Sequence, residues 1–293
     1  DEKSDVTDEQ DAISVTDSNS SGKVTWNTPN LNVLSEHPQI SCLNDVFSVF
    51  IDVFGVYVVA PSSAPLELVI HTANVLAEYI DNDEDGIPDD QAVLNQLIDG
   101  KFVAPVWTKS VRDAFWPSVQ GTYCEDNIRT AASMYYDGGD EWALGGIQSA
   151  GTWDTNLEEM WHIVTGGGWA VEYPDYFSVY ESSNSLISQA MDMARGGRFL
   201  SVPEQYPDSA WYTNYEGAYP NQVNEYFYWI MMANFGALDP SITDKCQGSS
   251  DEWHVCTKAQ LAQVDPLAHS LLNDHGFNLP DRIPDGNYSP KRE

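Results

Sequence analysis

The residue pattern predicts an α+β protein, mainly helical, with a small sheet. Three observations carry this. Val46 to Ala60 is rich in Val, Phe and Ile, and within it Phe54 to Ala60 reads as a buried strand. Leu66 to Ile80 sets Leu66, Val69, Ile70, Ala73, Leu76, Ala77 and Ile80 on one side of a helix. Asn221 to Met232 is apolar almost all round, the pattern of a deeply buried helix.

The 293 residues allow one large domain or two modest ones. Residues 1–22 are Asp-, Ser- and Glu-rich with almost no large apolar side chains, and are expected to be a disordered acidic tail. Residues 23–293 are expected to form a single globular domain. With 13 Lys and Arg against 45 Asp and Glu, the formal charge is −32. Such a surface repels nucleic acid and anionic membranes, and suits calcium or cationic extracellular partners. No stretch is apolar enough to span a bilayer; the best candidate, Val46 to Ala60, contains Asp52 and Gly55. No signal peptide is visible, and an acidic first residue is one that a processed chain could begin with.

Four cysteines contain no Cys-x-x-Cys pair, which argues against a zinc ribbon or thioredoxin-type motif. Cys246 and Cys256 bracket a short polar loop and are expected to pair, leaving Cys42 for Cys124. The even count and the sequons at Asn19 and Asn287 favour secretion and glycosylation.

Pro61 to Pro65 ends the strand, and Ser63, Pro65 and Glu67 mark the start of the following helix. That helix enters Asp81-Asn82-Asp83-Glu84-Asp85-Gly86-Ile87-Pro88-Asp89-Asp90. Asp at positions one, three and five with Gly at six matches the start of an EF-hand-like calcium loop. Asp81, Asp83 and Asp85 would supply carboxylates and Ile87 its carbonyl. Position twelve is Ala92 rather than the usual Glu, so Asp89 or Asp90 must close the shell. Asp90 to Ile98 then reads as a second helix. The bland alternative is an acidic surface turn.

Asn156 to His162 reads as a helix carrying Glu158, Glu159 and His162. Glu158 and His162 are four apart and share a face; Glu159 stands beside them. Thr165-Gly166-Gly167-Gly168 reads as its stop. Ala143 to Thr152 reads as a short strand or loop ahead of it. Downstream, Glu225 is a lone acid in an apolar helix, which is costly unless paired, neutralised or bound to a cation. Arg195, Arg198 or a tyrosine hydroxyl are its alternative partners. His37 and His71 are further candidates for a metal shell, His71 more simply as a packing or capping residue.

Glu158-Glu159-Met160-Trp161-His162 resembles the His-Glu-x-x-His helix of thermolysin-like zinc metallopeptidases, with Glu158 in place of the first histidine. Asn224-Glu225 resembles the Asn-Glu pair that supplies their third ligand, although the supporting Asp four residues later is here Trp229. The blocks Asp81–Gly86, Glu158–His162 and Glu225–Trp229 together resemble a family of secreted proteins that share them in this order, over most of residues 40–290. That second resemblance implies an architecture but no activity. The first implies a metallopeptidase-like fold and zinc held by Glu158, His162 and Glu225. In it Glu159 is the general base, and a tyrosine of the 212–219 loop, Tyr219, stabilises the oxyanion.

The expectation is therefore a secreted, calcium-braced, zinc-metallopeptidase-like protein that hydrolyses peptide bonds. The rival is a non-catalytic acidic matrix, adhesion or filament protein on a degenerate protease fold. No Gly-x-Ser-x-Gly elbow occurs, and Cys124 has no histidine nearby in sequence, so serine and thiol catalysis lack a signal.

Overall fold

The computed structural model describes residues 31–290. The acidic stretch 1–22 and the Asn19 sequon lie outside them. Helices and a small mixed sheet make the described part an α+β fold. The strands are β1 (Val33–Leu34), β2 (Val49–Val53), β3 (Val56–Ala60), β4 (Val103–Trp107) and β5 (Met134–Tyr135), and their order in the sheet is their order in the chain. The first three pair antiparallel; β3, β4 and β5 pair in parallel.

The strand expected at Phe54 to Ala60 is β3, and β2 ahead of it makes the two a hairpin. Phe54 and Gly55 both take positive φ, 54° and 92°. That is the turn whose twist matches two antiparallel strands. Asp52 holds it by accepting the Gly55 N–H at 2.6 Å. The sheet is buried on both faces, which is why these strands read as unbroken apolar runs. Ile51, Val53, Val56, Val58, Ala60, Ala104 and Val106 face the main core. Phe50, Val59, Val103 and Trp107 face a second core with Phe47 and Phe115. The Cys42–Cys124 disulfide ties the chain across that second core.

The helices are α1 (Leu66–Ile80), α2 (Gln91–Asp99), α3 (Lys109–Ser118), α4 (Tyr123–Asn127), α5 (Ile147–Ala150), α6 (Asn156–Val164), α7 (Ala170–Glu172), α8 (Pro174–Phe177), α9 (Leu186–Ala194), α10 (Tyr219–Phe235), α11 (Lys245–Gly248), α12 (Lys258–Val264) and α13 (Pro266–Asn273). The β3–β4 crossover runs through α1, the Asp-rich loop and α2. Between α12 and α13 the chain breaks at Asp265, which caps α13 by accepting the Ala268 N–H. The same carboxylate accepts the Tyr226 hydroxyl and the Trp211 indole, pinning α10 from outside. Ala143 to Thr152 forms no strand; among the described residues its only regular element is the single turn of α5. The edge strand that would receive a peptide by strand addition is therefore absent from that segment.

α6 packs between α1 and α10. Thr72 donates to the Asn156 side chain and Tyr79 to the Leu157 carbonyl, both at 2.7 Å, fixing its first turn on α1. The glycine run does not stop it. Thr165–Trp169 continues α6 as a π-helical turn and leads directly into α7. The glycines serve close packing against α2. A Cβ on Gly167 would sit 2.7 Å from Leu97 and 2.8 Å from Phe102; one on Gly168 would sit 2.6 Å from Val93. Gly166 has room, with Ala131 at 3.5 Å.

Overpacking costs roughly 1–3 kcal/mol, whereas glycine-to-alanine in a helix gains at most about 1 kcal/mol. Gly167→Ala and Gly168→Ala should therefore lower stability by about 1–2 kcal/mol in urea unfolding. Gly166→Ala should be neutral or stabilising. Equal effects at all three positions would show that the close approach is not what the glycines serve.

Candidate metal centre

α6 and α10 bring Glu158, His162 and Glu225 together, with one ligand atom of each within 4.8 Å of the others. His162 Nε2 lies 3.3 Å from Glu225 Oε1 and 4.0 Å from Glu158 Oε1. The ring is almost wholly buried, and Nε2 has no hydrogen-bond partner among the described residues. Glu225 is about one-third exposed, so it is not the fully buried acid the sequence suggested; it stands where α10 opens to solvent. Neither expected arginine takes it. Arg195 pairs with Asp192 and Gln222, and Arg198 with Asn184 and the Glu181 carbonyl.

The other ring nitrogen is held from behind. His162 Nδ1 lies 2.7 Å from the Asn224 amide, which lies 2.9 Å from Thr165 Oγ1, which lies 2.9 Å from the Trp161 carbonyl. An amide presents oxygen or nitrogen by a half-turn with no change of outline. When Nε2 binds a cation, Nδ1 keeps the proton. As placed, the Asn224 amide nitrogen faces Nδ1 and its oxygen accepts from the Thr165 hydroxyl; with the amide turned over, Asn224 would accept from Nδ1–H and donate to Thr165, whose hydroxyl would donate to the Trp161 carbonyl. Every donor and acceptor is satisfied, which is the support that ligand histidines ordinarily receive. Sequence reasoning noted Asn224 only as part of a dipeptide. The missed signal is its place next to Glu225, on the helix that faces His162.

Burial alone would depress the His162 ring. The carboxylates of Glu225, Glu158 and Glu159 outweigh it and raise the ring to about 9. Burial also raises Glu158, and repulsion from Glu225 adds to it; His162 and Lys245 oppose the shift. Glu159 is held apart from this trio. Its Oε2 accepts the Ser133 N–H at 3.1 Å, and burial pushes the carboxyl up to about 7, with His162 acting against that. Tyr219 is not brought to the centre. It is buried, and its hydroxyl donates to Asp192. The phenol that the carboxylates do face is Tyr228, buried beside Glu158 and Glu225. It stands three residues after Glu225 on the same helix, a spacing the sequence contained.

Glu158 and Glu225 line a cleft of about 470 Å³, and the buried His162 ring lies behind them. Its wall is a short ribbon. Tyr212 bridges Trp253, the Thr213 N–H donates to the Glu252 carbonyl and the His254 N–H to that of Trp211. The Cys246–Cys256 disulfide closes the loop that carries this wall.

The Asp-rich loop gathers a second set. Asp81, Asp83 and Asp89 offer oxygens within 4.8 Å of one another. Asp85 lies outside the set and accepts the Ile87 N–H. Asp90 is also outside it. It is the N-cap of α2, accepting from Ala92 and Val93, and takes the Tyr173 hydroxyl on its other oxygen. Asp89, not Asp90, is thus the residue that closes the loop. Ile87 is exposed. Burial raises Asp81 to about 6 and Asp89 to about 7; backbone N–H groups oppose this, and neighbouring aspartates add to it. The C-terminal segment straps the loop: Asn82 accepts from Asp281 and Arg282, and Tyr288 donates to Asp81.

His71 is engaged elsewhere. Its Nε2 meets Asp154 Oδ2 at 2.5 Å in a buried pair behind α6. His37 accepts the N–H groups of Gln39 and Ile40. Compared with known proteins, the chain matches no family model, no curated protein and no solved structure.

In metal-free protein the His162 ring should titrate near pH 9, followed by NMR of the imidazole protons. Glu225→Gln should move it downward, since Glu225 is the largest raising influence. An unchanged ring in Glu225→Gln would show that the two side chains are not neighbours in solution.

Proposed function

We propose that this is a secreted zinc-dependent peptidase braced by calcium. The observation that supports it best is the convergence of Glu158 and His162 on α6 with Glu225 on α10. Two carboxylates and one imidazole are a donor set that zinc accepts. The buried, unpartnered Nε2 beside them is the atom such an ion would complete. Two disulfides suit an oxidising compartment. No helix of the described residues is long and apolar enough to cross a membrane.

Glu158, His162 and Glu225 hold the ion, and Asn224 and Thr165 fix the His162 tautomer. Zinc in such a site supplies Lewis acidity toward water and a carbonyl oxygen. Glu159, anchored by Ser133 and raised to about 7, is matched to accepting a proton near neutral pH. Tyr219 is bonded to Asp192 away from the centre, and Tyr228, buried beside Glu158 and Glu225, would be the hydroxyl left to donate toward a developing oxyanion. Asp81, Asp83 and Asp89, between α1 and α2, would hold calcium.

One observation favours the rival, a non-catalytic acidic extracellular protein: the segment ahead of α6 has no edge strand for a peptide. Metal analysis and peptide cleavage separate the two. Purified without chelator, the chain should carry about one zinc, lost in Glu158→Ala and His162→Ala. Glu159→Gln should keep zinc and lose at least about 100-fold in cleavage rate, the size of a general-base contribution. Zinc absent from the unaltered chain, or cleavage undiminished in Glu159→Gln, defeats the peptidase reading.

The calcium loop makes a separate prediction. Folded-state carboxyl pKa values above the unfolded ones favour the fold below the unfolded values, and that stability is lost as pH rises through about 6–7. A cation replaces the protons. In chelator the loop's contribution to Tm should fall between pH 5 and pH 8. Added calcium should raise Tm much more at pH 8 than at pH 5, and Asp83→Asn with Asp89→Asn should abolish the difference. A calcium effect that grows toward low pH would overturn the assignment.

A further inference from the structure

The geometry points to a substrate class: the cleft selects peptides that carry a Lys or Arg side chain beside the bond held over Glu158 and Glu225. This rests on the peptidase reading of that centre, but its binding half stands without it. Five of the ten residues that line the cleft are acids: Glu158, Glu216, Glu225, Asp251 and Glu252. Over the whole chain, acids are 45 of 293, so the enrichment exceeds what composition supplies. No Lys or Arg lines it. Lys245, the base that acts on Glu158, has its ammonium over the rings of Trp153 and Trp229 at 5.2 and 5.7 Å.

An acidic cluster alone is often only solvated surface. Here Glu158 and Glu225 also stand over a second feature that calls for a ligand, the buried His162 Nε2, which lies 3.3 Å from Glu225 and 4.0 Å from Glu158 without hydrogen-bond geometry to either. A small ion at Nε2 engages Glu158 and Glu225 and leaves three acids on the wall without an opposite charge. Carboxylates gathered in one cleft repel one another. A cation in the cleft relieves that repulsion.

The wall is also rigid. Thr213 donates to the Asp251 carbonyl, and Asn214 to the Glu252 carboxylate at 3.0 Å. The Cys246–Cys256 disulfide encloses Asp251 and Glu252. A pre-set wall loses little entropy on binding. Tyr215 is half-exposed at the rim and offers a ring face. The apolar stem of Lys or Arg packs on such a ring while its head reaches carboxylates. An acidic side chain in the same place meets like charge and is rejected.

The test uses the full chain and fluorescence anisotropy with one labelled neutral peptide carrying a central Lys, Arg, Gln or Glu. The Lys and Arg peptides should bind tightest and the Glu peptide weakest. Glu216→Gln with Asp251→Asn, two exposed positions, should weaken the basic peptides about fivefold and leave the Gln peptide unchanged. Asp126→Asn with Asp175→Asn removes the same charge elsewhere on the exposed surface and should change nothing. Equal binding of Lys and Gln peptides, no binding of the basic ones, or equal losses in both double variants overturns the proposal. Cleavage of the same peptides by zinc-loaded protein is scored separately. Selective binding without cleavage defeats the peptidase reading and leaves the cleft's preference standing. Cleavage without a basic preference does the reverse.

Discussion

The close seating of α6 against three helices is the constraint on which the rest depends. α1 holds its first turn through Thr72 and Tyr79. α2 receives its glycine continuation at a distance that leaves no space for a Cβ. α10 lies across it and carries Glu225 and Asn224 to His162. A π-helical turn widens the helix locally and shifts the direction of the side chains that follow. Thr165 opens that turn, and its hydroxyl reaches the Asn224 amide. The backbone irregularity and the histidine's support are therefore one feature. The Asp-rich loop belongs to the same frame, because it joins α1 to α2 and its last residue caps α2. A cation bound there would stiffen two of the three walls that hold α6.

Charge is arranged against its own preference in both places. Burial raises Asp81 and Asp89 in the loop, and Glu158, Glu159 and Glu252 near the cleft. A surface with net charge −32 has ample solvated positions for carboxylates. Carboxylates kept where ionisation is disfavoured are a feature of sites that bind cations or move protons. Other buried acids brace the core: Asp154 meets His71 and Asn156, and Asp265, also raised by burial, meets Tyr226 and Trp211.

Much of this was legible because it is local. The 3.6-residue spacing of Leu66 to Ile80 gives α1 as expected, and the four-residue step from Glu158 to His162 puts both on one face. Both disulfides follow the expected pairing. What the sequence hid depends on contacts across the chain. A glycine run reads as a helix stop, since the need for glycine opposite Val93 and Leu97 exists only once α2 has docked. The hairpin at Phe54 carries no Asn-Gly signal, so β3 reads from the sequence but its partner β2 does not. Tyr219 and Tyr228 are equally aromatic in sequence; only the turn of α10 assigns one to Asp192 and the other to the carboxylates. Asp89 and Asp90 were indistinguishable by composition, and the N-cap geometry of α2 divides their roles.

The balance of charge at the proposed centre also bears on what it could do. Two carboxylates and one imidazole neutralise a divalent ion, whereas two imidazoles and one carboxylate leave one positive charge. A neutral site polarises a carbonyl less and acidifies water less. Glu159 offsets part of that loss, since a carboxyl raised to about 7 is a stronger base than an ordinary glutamate. The remaining acids of the cleft push further in the negative direction, which weakens the electrophile but strengthens the hold on a positively charged side chain. Ground-state attraction of that kind improves binding without speeding chemistry. On the proposed peptidase reading, the arrangement would suit slow, selective turnover of basic peptides better than rapid, general proteolysis.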